Sequence, residues 1–214
     1  MVKLFLDGGP FMWPILGLLI LGIAFSLERL WTLTRASVNT RKFILKVRQA
    51  ISSGGTNQAA EVCANTRGPV AAVFHAGLMR ADRGIDYVEK SIMTAGSIEM
   101  AFLEKNLVWL STIIALAPML GFTGTVSGMI RAFQEIAKAN DISPAIVAGG
   151  ISEALLTTLF GLIVAMIIQI FHNFFVSRID KLVVDMEEGS VEFIDTLDEM
   201  EKARRKTASA GSSA

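Results

Sequence analysis

The chain reads as an all-α integral membrane protein, and three observations point there. Of its 214 residues 52% are hydrophobic and only 19% charged, with a mean hydropathy of +0.50. Soluble domains of this length are less apolar and more charged. The apolar residues are bunched into three blocks, and no strand alternation of convincing length occurs. These features predict three transmembrane helices with long helical extensions outside the lipid.

The first ten residues lead into the first span, 11–27, FMWPILGLLILGIAFSL, which stops at Glu28-Arg29. Trp13 and Trp31 bracket this run at a separation of about 27 Å of helix at 1.5 Å per residue. That places an aromatic at each edge of a bilayer core. A signal peptide is the competing reading, but Lys3 is the only basic residue before the run. No small-x-small cleavage site follows it, so a retained anchor is expected.

Residues 28–106 form the second region. A helical pattern over 28–51 breaks at SSGGTN, a turn-rich run at 52–57. Further helices are expected over 58–66, stopped by Arg67-Gly68-Pro69, and over 70–80, stopped by ADRG. From Asp86 the pattern runs helically into the second span, 107–130, without a break. A short connection, 131–144, precedes the third span, 145–176. Beyond it Ile179, Leu182, Val183, Met186, Phe193, Ile194, Leu197 and Met200 recur at helical steps over 177–206. Gly189-Ser190 weakens that stripe, which needs a partner surface in residues 86–106 or on another subunit. The small, polar tail 207–214 is expected to be disordered.

Lysine and arginine placement orients the spans. Arg29, Arg35, Arg41, Lys42, Lys46 and Arg48 follow the first, and Arg178, Lys181, Arg204, Arg205 and Lys206 follow the third. The 131–144 connection has Arg131 and Lys138 balanced by Glu135 and Asp141. The positive-inside rule puts the N-terminus and that connection outside, and residues 28–106 and the C-terminus inside. The formal net charge of +0 hides this asymmetry.

Several chemistries are disfavoured. Cys63 is the one cysteine, so no intramolecular disulfide or multi-cysteine metal site forms, and a buried, inert thiol is expected. His75 and His172 lack ligand-like spacing, and no metal or cofactor is expected. There is no nucleophile–base pair, and SSGGTN lacks the lysine and following helix of a phosphate loop. The basic run 29–48 fits topology and anionic lipid better than nucleic acid. The chain is not expected to be an enzyme.

The spans carry polar and small residues that a lipid-facing helix does not need. In the second, Ala117, Gly121, Gly124 and Gly128 share a face, with Thr125 at its edge. In the third, Gly149, Glu153, Thr157, Gly161 and Ala165 follow at steps of four. Small residues allow backbones to approach, and threonine hydroxyls hydrogen-bond across or back to the helix. Glu153 stands out. A charge at mid-bilayer costs about 2.5–3.5 kcal/mol unless compensated. No lysine or arginine lies within the second or third span, so no intramembrane ion pair is expected. Desolvation then favours the neutral acid unless water and threonine hydroxyls solvate the anion. Either state responds to proton concentration. The plain alternative is a hydrated glutamate two turns below a helix start at Ser143-Pro144. Gln169 and His172, further along, read as the inner interface.

The runs APMLGFTGTVSGMI and GISEALLTTLFGLIVA resemble the signatures of the MotA/TolQ/ExbB proton channel superfamily. GGPFMWPILGLLILGIAFSLERL similarly resembles ExbB-like N-termini. The resemblance covers most of the three spans, in matching order and topology. It implies a homo-pentameric ring in a bacterial inner membrane, N-terminus periplasmic and C-terminus cytoplasmic. The ring would surround single-span helices of an ExbD-like or TolR-like partner with an essential aspartate. Glu153, Thr125 and Thr158 would line the interior near that aspartate, beside the seam residue Thr157. Work would pass to a TonB-like protein and power outer-membrane transport. A TolQ-like envelope-maintenance motor and a non-conducting membrane scaffold are the alternatives. Family members often continue the third span as GLxVAIP. Here GLIVAMI has Met166-Ile167 and lacks the proline, which removes an expected kink. Three spans favour the ExbB/TolQ branch over the four-span MotA branch.

Overall fold

The computed structural model describes residues 2–36, 40–139 and 144–211. Among these residues the chain is all-α, with no strand. Its helices are α1 (Val2–Asp7), α2 (Met12–Ala36), α3 (Thr40–Ala64), α4 (Pro69–Leu78), α5 (Ile85–Glu104), α6 (Leu107–Ala139) and α7 (Pro144–Gly211). A single 3-10 turn at Ala81–Arg83 joins α4 to α5. Helices α2, α6 and α7 carry the three apolar stretches long enough to cross a membrane. The protein is a multi-pass membrane protein.

The chain divides into two compact units: residues 1–30 with 106–175, and residues 31–105 with 176–214. In the first, α2 runs antiparallel to α6, and Phe25 stacks on Trp109 with ring centroids 6.4 Å apart. Helix α6 is in turn antiparallel to α7. Gly121 meets Thr157 and Thr158, Gly128 meets Ala154, and Gly161 meets Ala117. Helices α2 and α7 are then parallel, with Gly22 against the Ile168 side chain. Each helix buries one narrow stripe. The other faces hold exposed Ile20, Phe122, Leu155 and Ile170, a surface suited to lipid.

The second unit has an aromatic core in place of a small-residue seam. Phe74 of α4 is fully buried, stacked on Phe193 of α7 at 4.5 Å and packed against Phe43 of α3 at 5.8 Å. The α7 stripe has its partner within the chain, because Ile179, Leu182, Met186, Phe193 and Leu197 are all buried. Cys63 is buried as expected, and burial pushes its thiol up to about 12. It borders a cavity of about 740 Å³ between the end of α2, α4 and α5.

Several helix boundaries differ from the sequence expectation. The break expected at 52–57 contracts to one kink inside α3 at Gly55 (φ 72°, ψ −166°), a backbone conformation that glycine adopts without strain. The continuous helix expected from Asp86 into the second span is interrupted. Lys105 turns extended and Asn106 takes φ 67°, which asparagine tolerates better than most residues. The Asn106 side chain then donates to Glu28 Oε2 at 3.2 Å. At Gly189 the stripe weakens in sequence but α7 does not break. A Cβ there would come 3.0 Å from Ile44 Cδ1 and 3.3 Å from Phe74 Cζ, so the glycine serves close packing. Helix α7 continues to Gly211, into the tail expected to be disordered, and 212–214 lie outside the described residues.

Candidate functional site

The site is built where α6 and α7 touch. Gly121, Gly124 and Gly128 open a groove on α6, and Ala154, Thr157, Thr158 and Gly161 of α7 fill it. A Cβ on Gly161 would sit 2.6 Å from the Ala117 carbonyl, and one on Gly124 2.6 Å from Thr157 Oγ1. Backbones this close put hydroxyls of one helix within reach of carbonyls of the other.

Thr125 and Thr158 use that reach. Their hydroxyls are hydrogen-bonded to each other across the interface. Thr125 Oγ1 also lies 3.0 Å from the Ala154 carbonyl, and Thr158 Oγ1 3.1 Å from the Gly121 carbonyl. Each hydroxyl has one proton to donate. If Thr158 donates to Gly121, Thr125 donates to Thr158. If Thr125 donates to Ala154, Thr158 donates to Thr125. The pair thus has two hydrogen-bonded arrangements of opposite polarity, each ending on a backbone carbonyl.

Thr157 has a different place. It is 1% exposed, packs on Gly124 and donates to the Ala154 carbonyl at 2.8 Å within its own helix. It fills the helix–helix contact. The small-residue seam also needs a correction at Gly149, which has nothing within contact distance of an added Cβ. Its neighbour Gly150 packs against Ala132 and the Gly128 carbonyl. Steps of four overshoot the 3.6-residue turn. A strict four-residue count therefore drifts off the buried face, and the buried position near this end is Ala154, 1% exposed.

Glu153 sits at the edge of that face, five residues before Thr158 and so about 7.5 Å away along the axis. Contrary to the sequence expectation, it has an intrachain counter-charge. Arg131 Nη2 lies 2.6 Å from Glu153 Oε1, with the two side chains 42% and 21% exposed. Counting Arg131 in a connection hid this pair. Helix α6 instead continues to Ala139, and Arg131 follows Gly128 by three residues, close to the seam face. Gly9 completes the surroundings. Its φ of +71° suits glycine, and a Cβ there would overlap the Glu153 carboxylate. The carboxylate is thus held between a guanidinium and the turn that leads into α2.

The profile of the MotA/TolQ/ExbB proton channel family matches residues 65–188. The chain belongs to the MotA/TolQ/ExbB family. That match spans α4 to the middle of α7 and so contains Thr125, Arg131, Glu153 and Thr158. An ExbB homolog of Methanothermobacter thermautotrophicus, named as a biopolymer transport protein, is 32% identical over 180 residues, covering 84% of this chain and 64% of that protein. ExbB-like 3 of Synechocystis is 28% identical over 170 residues, covering 78% and 81%. The Tol-Pal system protein TolQ of Pseudomonas aeruginosa is 33% identical over 122 residues, covering 52% and 53%. The chain thus spans about two thirds to four fifths of the two ExbB-type relatives and about half of the TolQ.

Proposed function

We propose that this chain is the ring-forming subunit of a proton-motive-force-driven motor in a bacterial inner membrane, with its N-terminus periplasmic and its C-terminus cytoplasmic. Five copies surround single-span helices of an ExbD-like partner, and the assembly acts through a TonB-like protein on outer-membrane transport. The observation that supports this reading is a carboxylate, Glu153, on the same α6–α7 contact as the hydrogen-bonded Thr125–Thr158 hydroxyls, about a turn and a half away along α7. In this reading Glu153 takes up a proton as its pair with Arg131 opens, Thr125 and Thr158 reorient along the α6–α7 contact, and the glycine seam keeps the two helices in register. One charge moved through 100 mV is worth about 2.3 kcal/mol, so a few protons suffice for a mechanical step.

A TolQ-like role in envelope maintenance is the second reading, favoured by the likeness to the Pseudomonas aeruginosa TolQ. It shares the site and differs in the partner. The deciding experiment replaces Glu153 by Gln in the full chain, co-expressed with its cognate single-span partner, after assembly is verified. Proton-driven function should fall about a hundredfold or more, the scale of losing a positioned proton-transfer group. Full activity with intact assembly would reduce Glu153 to a structural part of the wall. Failure of any single-span partner to co-purify with the wild type would favour a scaffold.

A further inference from the structure

Helices α2 and α7 meet at two polar places, and only one of them belongs to the site above. Gly9 touches Glu153 and Gly22 touches Ile168, so the two segments run parallel in a steady register. One turn beyond the second contact come Ser26 on α2 and His172 on α7. Ser26 is 2% exposed. Among the described residues its Oγ has no hydrogen-bond partner, and neither does the buried Nδ1 of His172. Both atoms are thus stranded at one level of one seam.

Buried polar atoms in folded proteins are nearly always paired with protein or with ordered water. Two orphans facing one seam call for a small molecule that both donates and accepts. A serine hydroxyl does either, and imidazole Nδ1 does either according to tautomer. A metal ion does not fit, because one ring nitrogen and one hydroxyl give too few ligands and no charge. An anion does not fit either. The nearest cation on this face of α2, Arg29, is already engaged by Glu28 at 3.0 and 3.1 Å. Toward Glu153 the seam closes with buried Ile15, Val164 and Ile168, so a ligand would enter from the Glu28 end.

We propose that Ser26 and His172 form a water-binding site between α2 and α7. The water donates to Nδ1 of His172 and accepts from the Ser26 hydroxyl. An excess proton arriving on that water passes to Nδ1 and the Nε2 proton leaves to solvent, so water and imidazole both end neutral and one proton has crossed the ring. That proton step rests on the proposed function, whereas the water site does not.

The test is water-edited NMR on the full-length protein, labelled at histidine nitrogen and reconstituted in lipid with its co-purifying partner. The chain has 2 histidines, so His172→Gln assigns the signals. The expected result is rapid transfer of water polarisation to the His172 imidazole, weakened severalfold by Ser26→Ala and restored by Ser26→Thr. Transfer to the His172 nitrogens too slow to detect, or unaffected by Ser26→Ala, would overturn the site. Glu153→Gln is measured alongside for proton-driven function. Full activity there takes Glu153 out of the proton path and leaves the water site to be judged by NMR alone.

Discussion

The α6–α7 contact and the core around Phe74 are both helix packings, yet they are held by opposite means. In the first, glycines bring two backbones together and threonine hydroxyls cross the gap. In the second, three phenylalanine rings fill the space between the helices. The difference follows from the solvent. Lipid tails are as apolar as leucine, so burying leucine between spans gains little, and close van der Waals contact with interhelical hydrogen bonds must hold the pair. Outside the lipid, removing apolar surface from water supplies about 25 cal/mol per Å², and an aromatic ring carries the largest share. Polar side chains thus come to sit inside the membrane unit as a condition of its packing. Thr125 and Thr158 are there for adhesion, about a turn and a half along the contact from Glu153.

The comparison predicts opposite responses to truncation and enlargement. Phe74→Ala should produce the largest loss, about 3–5 kcal/mol, because a fully buried ring in a stacked cluster leaves a cavity. Thermal unfolding of the purified full chain, followed by near-ultraviolet circular dichroism, measures it. A loss below about 1 kcal/mol would mean that the second unit is not held by its aromatic core. Enlarging the other contact comes next. Gly124→Ala puts a methyl 2.6–3.0 Å from three atoms of Thr157, which is itself locked in the contact. Overpacking of this kind costs about 1–3 kcal/mol, and the Thr125–Thr158 pair should separate with it. Detergent denaturation compared with the wild type checks the cost. An unchanged profile would show that the seam has slack and that closeness is not what holds it.

How much of this was legible in sequence depends on whether the signal was local. Glu153, Thr125 and Thr158 could be singled out because charged and hydroxyl side chains are conspicuous in apolar runs. Their pairing across two helices needed the antiparallel register that the glycines hinted at. Arg131 was missed because the second span was ended at Ile130 by hydropathy. The helix itself ignores that limit, and the very next residue, Arg131, lies against Glu153. Gly149 was chosen over Gly150 by counting fours along a helix that turns every 3.6 residues. The Lys105–Asn106 break carries neither proline nor glycine, and the bond from Asn106 to Glu28 that accompanies it is long-range. Gly189 shows the reverse error: a residue read as a helix weakness is there because Ile44 and Phe74 come close to its backbone.

Cys63 gives the smallest effect and the finest contrast. Inside the membrane unit the Thr125 and Thr158 hydroxyls satisfy one another, whereas in the second unit the Cys63 thiol is raised by burial alone, from an ordinary 9.0 to about 12. The sign of its effect on stability follows from which state releases the proton first. Below about pH 9 the thiol is protonated in both states and contributes no pH dependence. Between 9 and 12 the unfolded chain ionises while the folded one holds its proton, so the unfolded state binds fewer protons and stability falls as pH rises. The loss attributable to this group reaches at most about 1.4 kcal/mol by pH 10. Lysine and tyrosine titrate nearby, so the measurement is the difference in unfolding between wild type and Cys63→Ala at pH 8 and pH 10. The wild type should lose more than the variant over that interval, and its native thiol should react slowly with alkylating reagents at pH 8. Equal losses together with fast alkylation would mean that the α3–α4–α5 packing opens readily around Cys63. The second unit would then be the looser of the two, which inverts the comparison between an aromatic core and a glycine seam.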